Sequence, residues 1–309
     1  MAYTGASPVN TGTTTTNDLT RDVTLDVIEA FERRTRFMNL IRMDSLEGGG
    51  ASAGSFIIEG KEDKADTGIA SYTAGAQVSV SNGTQDEIII ALDRPQYESR
   101  RIDKWDQVVA RYDTVAMNVR QLGTKLANAI DRKCSAAIEA SSLATGLVAN
   151  GDGTVVVNTA LPGGLAAATT AEGLGNEIAE SIYASIAAVQ TNDVYDMLYV
   201  AMSPTNFQYL PQSAKAVNVD FTNGNGGFDT GEVAMIGGAT VFSSNNLPAT
   251  AGLIALAFTE EAAGMVKLWD VKVDINEQPD FLNAKLINAY FSNGVAALRP
   301  QCAVSIKNV

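Results

Sequence analysis

Between residues 115 and 138, apolar side chains recur at the spacing of a helix. Val115, Val119, Leu122, Leu126, Ile130, Cys134 and Ile138 follow one another in steps of 4, 3, 4, 4, 4 and 4. Such steps stack side chains along one helix face. They predict one helix of about 28 residues, or about 40 Å at 1.5 Å per residue. That is longer than most helices in globular proteins, which average about 11–12 residues. Leu174, Ile178, Ile182, Ile186 and Val189 mark a second amphipathic helix. The Gly/Ala/Thr-rich stretch 144–173 between the two carries one expected short strand at Thr154–Asn158.

Downstream the period changes. Met197–Met202 reads as a buried strand, and Ser203-Pro204 opens a short helix by cap and proline. A polar, glycine-rich loop spans 213–230. Val233–Ile236, a Gly237-Gly238 turn and Ala239–Ser243 follow, and then strands at Leu253–Phe258, Met265–Ile275, Ala284–Phe291 and Ala303–Ile306. Upstream, Ser55–Glu59 and Glu87–Leu92 read as strands flanking a charged, glycine-rich excursion. That excursion holds Val78-Ser79-Val80 and the turn pair Asn82-Gly83. Loops this long are uncommon unless they do something, and two strands around such a tip read as a projecting β-arm. Residues 1–20 are polar and aperiodic. Residues 21–42 read as a short helix and an extended stretch, with Arg33, Arg34, Arg36 and Arg42 clustered there. The fold class is α+β.

Composition removes much chemistry. The chain of 309 residues has no histidine, so a Ser-His-Asp triad, a Cys-His dyad and His-ligated zinc or haem are excluded. Cys134 and Cys302 are too few for a disulfide framework or a four-cysteine metal site and read as buried small hydrophobes. Trp105 and Trp269 read as core anchors. Gly224-Asn225-Gly226-Gly227 fits neither phosphate-loop pattern, and no helix pattern follows it. The adjacent acids Glu62/Asp63, Asp86/Glu87 and Glu260/Glu261 read as solvated surface. No catalytic residue, cofactor or metal ligand is expected. Apolar runs such as Leu253–Phe258 fall far short of the roughly 18 residues of a membrane span, and Met1–Gly5 lacks the basic start of a secretory signal.

Charge is unevenly placed. Residues 1–133 hold 16 of the 22 basic residues, eleven of them arginine, against 19 of the 35 acids. Residues 134–309 hold 6 basic against 16 acidic residues, which brings the whole to −13. Arginine-rich, mixed charge suits ion pairs with other protein chains. The acidic surplus opposes tight, specific nucleic-acid binding.

Four runs, in order, resemble the major capsid proteins of tailed bacteriophages, whose fold is shared with encapsulins and the herpesvirus capsid floor. Gly231-Glu232-Val233 through Gly238, Val241, Ser244 and Leu247-Pro248 resembles that family's hairpin. Met197 to Phe207, with Pro204 and Phe207, resembles the strand-then-helix element before it. Ala289-Tyr290-Phe291-Ser292-Asn293-Gly294 through Leu298-Arg299-Pro300 resembles the ending of short-tailed phage members. Tyr112-Asp113 with Gln121-Leu122-Gly123 is similar to their long helix.

The resemblance implies a capsid fold with an N-terminal arm at 1–53, an extended loop at 54–93 and a peripheral domain with a spine helix at 94–173. An axial domain at 174–270 and a return to the peripheral domain at 271–309 complete it. It implies a subunit of pentamers and hexamers in an icosahedral shell around double-stranded DNA, assembled in the host cytoplasm. A separate scaffolding protein and a portal act during assembly. DNA is packaged without sequence specificity, and no membrane is involved. Arg33, Arg34, Arg36, Arg42, Lys61, Lys64, Arg94, Arg100 and Arg101 become candidate inter-subunit contacts. An encapsulin-type compartment is the alternative. An α/β enzyme working through carboxylates is a third reading, and its mark would be a deep pocket of convergent acids in a discrete monomer.

Overall fold

The predicted stripe folds as one helix. In the computed structural model Thr114–Leu143 form a helix of 30 residues. Val119, Leu122, Leu126, Ile130, Cys134 and Ile138 are buried along it, and Val115 is half-buried. The structure describes residues 25–46, 53–59, 85–109, 114–143, 170–191, 194–213, 233–278 and 284–307. The expectations for residues 1–20, for the loop tip with Lys61, Lys64 and the Asn82-Gly83 turn, for Tyr112-Asp113, for the strand at 154–158 and for most of the 213–230 loop lie outside them.

Helices α1 (25–34), α2 (Lys104–Val109), α3 (Thr114–Leu143), α4 (Ala171–Thr191) and α5 (Pro204–Phe207) alternate with eleven strands among the described residues. These are β1 (Arg42–Ser45), β2 (Ala53–Glu59), β3 (Gln85–Ala91), β4 (Gln96–Ile102), β5 (Tyr199–Met202), β6 (Val233–Ile236), β7 (Ala239–Ser243), β8 (Leu253–Phe258), β9 (Ala263–Gln278), β10 (Ala284–Ala297) and β11 (Ala303–Lys307). The chain divides into two units, and α3, β9 and β10 each have residues in both.

The first unit comprises 1–35, 93–130 and 268–293. There β4 pairs antiparallel with β10, from Lys285↔Ile102 to Phe291↔Gln96. Along β4 half-buried and exposed residues alternate, so one side chain in two turns inward. Helix α1 lies against α3 through Val27 and Phe31, both buried. The contact is close because position 123 is glycine. A Cβ there would stand 2.6 Å from the Val27 carbonyl oxygen and 2.9 Å from the Ala30 Cβ. Glycine inside a helix costs about 1 kcal/mol in propensity, and here it admits a neighbouring backbone.

The second unit comprises 36–92, 131–267 and 294–309. Its five-stranded sheet has the order β11-β8-β5-β7-β6. Strand β5 runs parallel to β7 and antiparallel to β8, and β6–β7 is a hairpin turning through Gly237 (φ 59°) and Gly238 (φ 90°). Ser203 caps α5 by accepting the Asn206 N–H at 3.3 Å. Ile178, Ile182 and Val189 of α4 join Val200, Met202, Ile236, Val241 and Ile254 in one apolar core. Strand β1 pairs parallel with β9 from Arg42↔Gly264 to Ser45↔Lys267.

A buried carboxylate orders the second unit where it begins. The Asp131 side chain accepts the Arg36 N–H at 3.1 and 3.2 Å and the Phe37 N–H at 3.2 Å. The Asn246 amide donates to it at 3.5 Å, while the Ser135 hydroxyl donates to the Asn246 carbonyl at 2.6 Å. Phe37, fully buried, packs edge-on to Phe242 at 5.6 Å and stacks on Phe258 at 5.9 Å. Burial pushes the Asp131 pKa above its ordinary value, against the opposing pull of the Arg36, Phe37, Asn246 and Met38 hydrogen bonds.

Three expectations change. Trp105 is 73% exposed and Trp269 38% exposed, so neither is a core anchor. Trp269 instead meets the Tyr290 ring edge-on at 6.2 Å, with the Lys272 ammonium 5.1 Å above its own ring. An indole satisfied by an aromatic edge and a cation does not need the interior. Strand β10 runs on to Ala297, past the Ser292-Asn293-Gly294 run where the sequence reading stopped it. The cause is tertiary. A Cβ at Gly294 would lie 2.2 Å from the Ala91 carbonyl oxygen, so the glycine admits a close strand rather than a turn. Both cysteines are buried as expected; burial pushes the Cys302 thiol up to about 11 and raises Cys134 further.

Leu126→Asp places a carboxylate in the buried stripe and is expected to cost about 3 kcal/mol or more, with loss of soluble protein. Arg120→Ala on the exposed face should keep the wild-type melting temperature within a degree or two, which thermal unfolding checks. Asp131→Ala leaves the Arg36 and Phe37 N–H groups without their acceptor and should cost about 3 kcal/mol in urea unfolding. The pH dependence has a fixed sign. The folded pKa of Asp131 lies above the unfolded one, so the stability tied to its proton is full below about 4 and is lost as pH rises through the folded value. The stability gap between wild type and the non-titrating Asp131→Asn should narrow from pH 4 to pH 7.

Candidate assembly surfaces

Strands β2 and β3 form an antiparallel hairpin of seven residue pairs, from Ala53↔Ala91 to Glu59↔Gln85. Its root belongs to the second unit and is tightly held. Ile90 clusters with Val266 and Leu298, with Leu46, Ile88, Leu92 and Ala296 packed against them. A Cβ at Gly54 would stand 2.8 Å from both Val266 methyls. Ile89, on the other side of the strand, is 68% exposed. The hairpin is therefore fixed at one end and offers apolar surface away from its own core.

The arginines named from sequence fall into different roles. Arg33 pairs with Glu29 one turn back on α1, both exposed. Arg36 gives its backbone N–H to Asp131, and its guanidinium reaches the Ser243 carbonyl at 3.3 Å. Arg42 and its three neighbours in β1 are all exposed, and Arg94 is exposed before β4. Arg100 lies 3.8 Å from Glu98, which also holds Lys125, and Arg101 lies 3.6 Å from Asp103. Arg34 is exposed on α1. The structure does not gather these residues into one site. They are spread over α1, β1, β4 and the segments between.

Exposed aromatic surface escaped the sequence reading. On the first unit's sheet Tyr97 is 72% exposed, directly opposite Tyr290 in the β4–β10 register, and Trp269 meets that same tyrosine. Desolvation, and then the hydrogen bond that the hydroxyl donates to Asp274 and that carboxylate's charge, raise the Tyr290 pKa. Tyr195 and Met197 on the second unit are likewise exposed. The alternation Tyr97, Ser99, Arg101 was the available signal, because an aromatic in phase with polar residues belongs to the outer face of a strand.

Two further charged pairs serve the subunit itself. Glu139, nearly buried, pairs with Lys307 at 3.0 Å and accepts the Thr250 hydroxyl at 2.9 Å. Glu261 accepts a salt bridge from Arg299, so one member of the Glu260/Glu261 pair read as solvated is engaged. Among the described residues, no group of three or more Cys, Asp or Glu is placed to hold a metal ion, and no helix is long and apolar enough to cross a membrane.

The model of the phage capsid protein family matches residues 97–306. No curated protein matches significantly. Among solved structures, the capsid of cyanophage P-SCSP1u superposes with a TM-score of 0.68 at 22% identity, over 89% of this chain and 88% of that one. The mature capsid of bacteriophage PhiM1 gives 0.64 at 17% identity, over 88% and 86%. The virus-like particle from Pyrococcus furiosus gives 0.54 at 12% identity, over 94% and 99%. The α+β architecture is thus that of phage capsid structures, and the matched segment runs from β4 to β11, through the long helix α3 and the five-stranded sheet. The chain belongs to the phage capsid protein family, a structural shell protein of the virion capsid.

Proposed function

We propose that the chain is the major capsid subunit of a tailed, short-tailed, double-stranded DNA phage, closing as pentamers and hexamers into an icosahedral shell. The observation that carries this reading is the β2–β3 hairpin, rooted by Ile90, Gly54 and Gly294 yet bearing exposed Ile89. A rooted arm with bare apolar surface gains stability by lying on a neighbour. Obligate interfaces of this kind bury ~2,000 Å² or more.

In this reading residues 1–53 are the arm, 54–93 the loop laid over an adjacent subunit, 94–173 with 271–309 the peripheral domain, and 174–270 the axial domain. Arg33, Arg34, Arg36, Arg42, Lys61, Lys64, Arg94, Arg100 and Arg101 contribute inter-subunit contacts. A separate scaffolding protein and a portal serve assembly, and the acidic surplus suits a wall that does not grip its DNA. The second reading is an encapsulin-type compartment. The likeness to the virus-like particle from Pyrococcus furiosus, over nearly the whole of both chains, supports keeping it.

Native mass measurement and electron microscopy of the purified chain test the proposal. Megadalton closed particles are expected, and a stable 32.5 kDa monomer at high concentration would overturn it. Particles filled with nucleic acid from infected cells separate a virion from a protein-filled compartment. The isolated subunit should show no sequence-selective gel shift at about 150 mM salt, given its net charge of −13.

A further inference from the structure

Helices α1 and α3 of the first unit enclose a shallow cleft of about 270 Å³ lined by Asp26, Glu29, Arg33, Arg34, Arg120 and Thr124. Three guanidinium groups meet two carboxylates there, and Glu29 is taken by Arg33. Arg34 and Arg120, both exposed, form no ion pair with any described residue, although 86 positions of sequence separate them. Gly123 makes the convergence possible. Without a Cβ, it lets α1 settle on α3 close enough for side chains of both helices to share one cleft.

Resting on the shell reading above, we infer that this cleft docks a carboxylate-bearing surface of a second copy of the chain, gripped by Arg34 and Arg120. The argument is charge complementarity. A second copy carries 35 acidic against 22 basic residues, and residues 134–309 alone carry 16 acids against 6 bases. Paired guanidinium forks bind carboxylate in two-pronged geometry, which an ammonium cannot match. Arg33 is held by Glu29 on its own helix, and Arg120, on the exposed face of α3, joins Arg34 as a contact.

The test uses the full chain assembled into particles. Arg34→Glu with Arg120→Glu should lower the assembled fraction in sedimentation by more than tenfold, with unchanged circular dichroism. Independently, Arg34→Lys with Arg120→Lys is assembled from a mixture of ¹⁵N-labelled and unlabelled chains and treated with a zero-length carbodiimide. Mixed-isotope amide links from position 34 or 120 to an Asp or Glu peptide are expected, and wild type should lack them. Normal assembly of the Glu variant, or links found only within one chain, would overturn the inference and leave the shell reading standing. A Glu variant that assembles normally but loses affinity for random duplex DNA would assign the cleft to phosphate instead. A wild-type chain that stays monomeric would overturn the shell reading and this inference together.

Discussion

The Asp131 carboxylate is buried among groups that all donate to it, and much of the second unit's order follows from that arrangement. A buried carboxylate without donors would be costly. This one takes the backbone N–H groups of Arg36 and Phe37 and the amide of Asn246, whose own carbonyl is held by Ser135. The chain is therefore fixed at the point where it enters the unit. Phe37 is delivered between Phe242 and Phe258, one from β7 and one from β8, and β1 follows five residues later in register with β9. One polar group on α3 thus specifies where an aromatic plug and an edge strand lie.

Charge elsewhere divides by solvent exposure. Glu139–Lys307 is nearly dry and has a hydroxyl as an additional donor, so its loss would leave a buried charge. Arg33–Glu29 is exposed on both sides and contributes little to folding. Tyr97 and Tyr195 are likewise exposed, while Trp269 is partly covered by the Tyr290 ring and the Lys272 ammonium. A shell protein's surface is best understood as half of an interface.

Much of the architecture was legible because it is periodic. The steps of three and four from Val115 to Ile138 and the turn at Gly237-Gly238 are local signals, and each became the expected element. The β2–β3 strands were likewise marked by β-branched residues within one or two positions of their ends. The two tryptophans were misplaced because residue type alone averages over environments. Only the neighbouring Tyr290 and Lys272 show why Trp269 stays near solvent. The candidate contacts were legible as a basic cluster but not as partners. Nothing local in Arg33-Arg34 says that the first meets Glu29 and the second lines the same cleft as Arg120.

By itself the sequence determined the helices, most strands, the absence of histidine chemistry and the order of motifs shared with phage capsid proteins. Tertiary structure alone decided the roles of Gly123, Gly294 and Asp131. Each of these depends on a backbone carbonyl or N–H far along the chain: Val27, Ala91, Arg36. Hydrophobic period repeats within a few residues and survives averaging over the chain. A close approach or a buried hydrogen bond exists only when two distant segments are brought together, and it leaves a single glycine or aspartate as its trace.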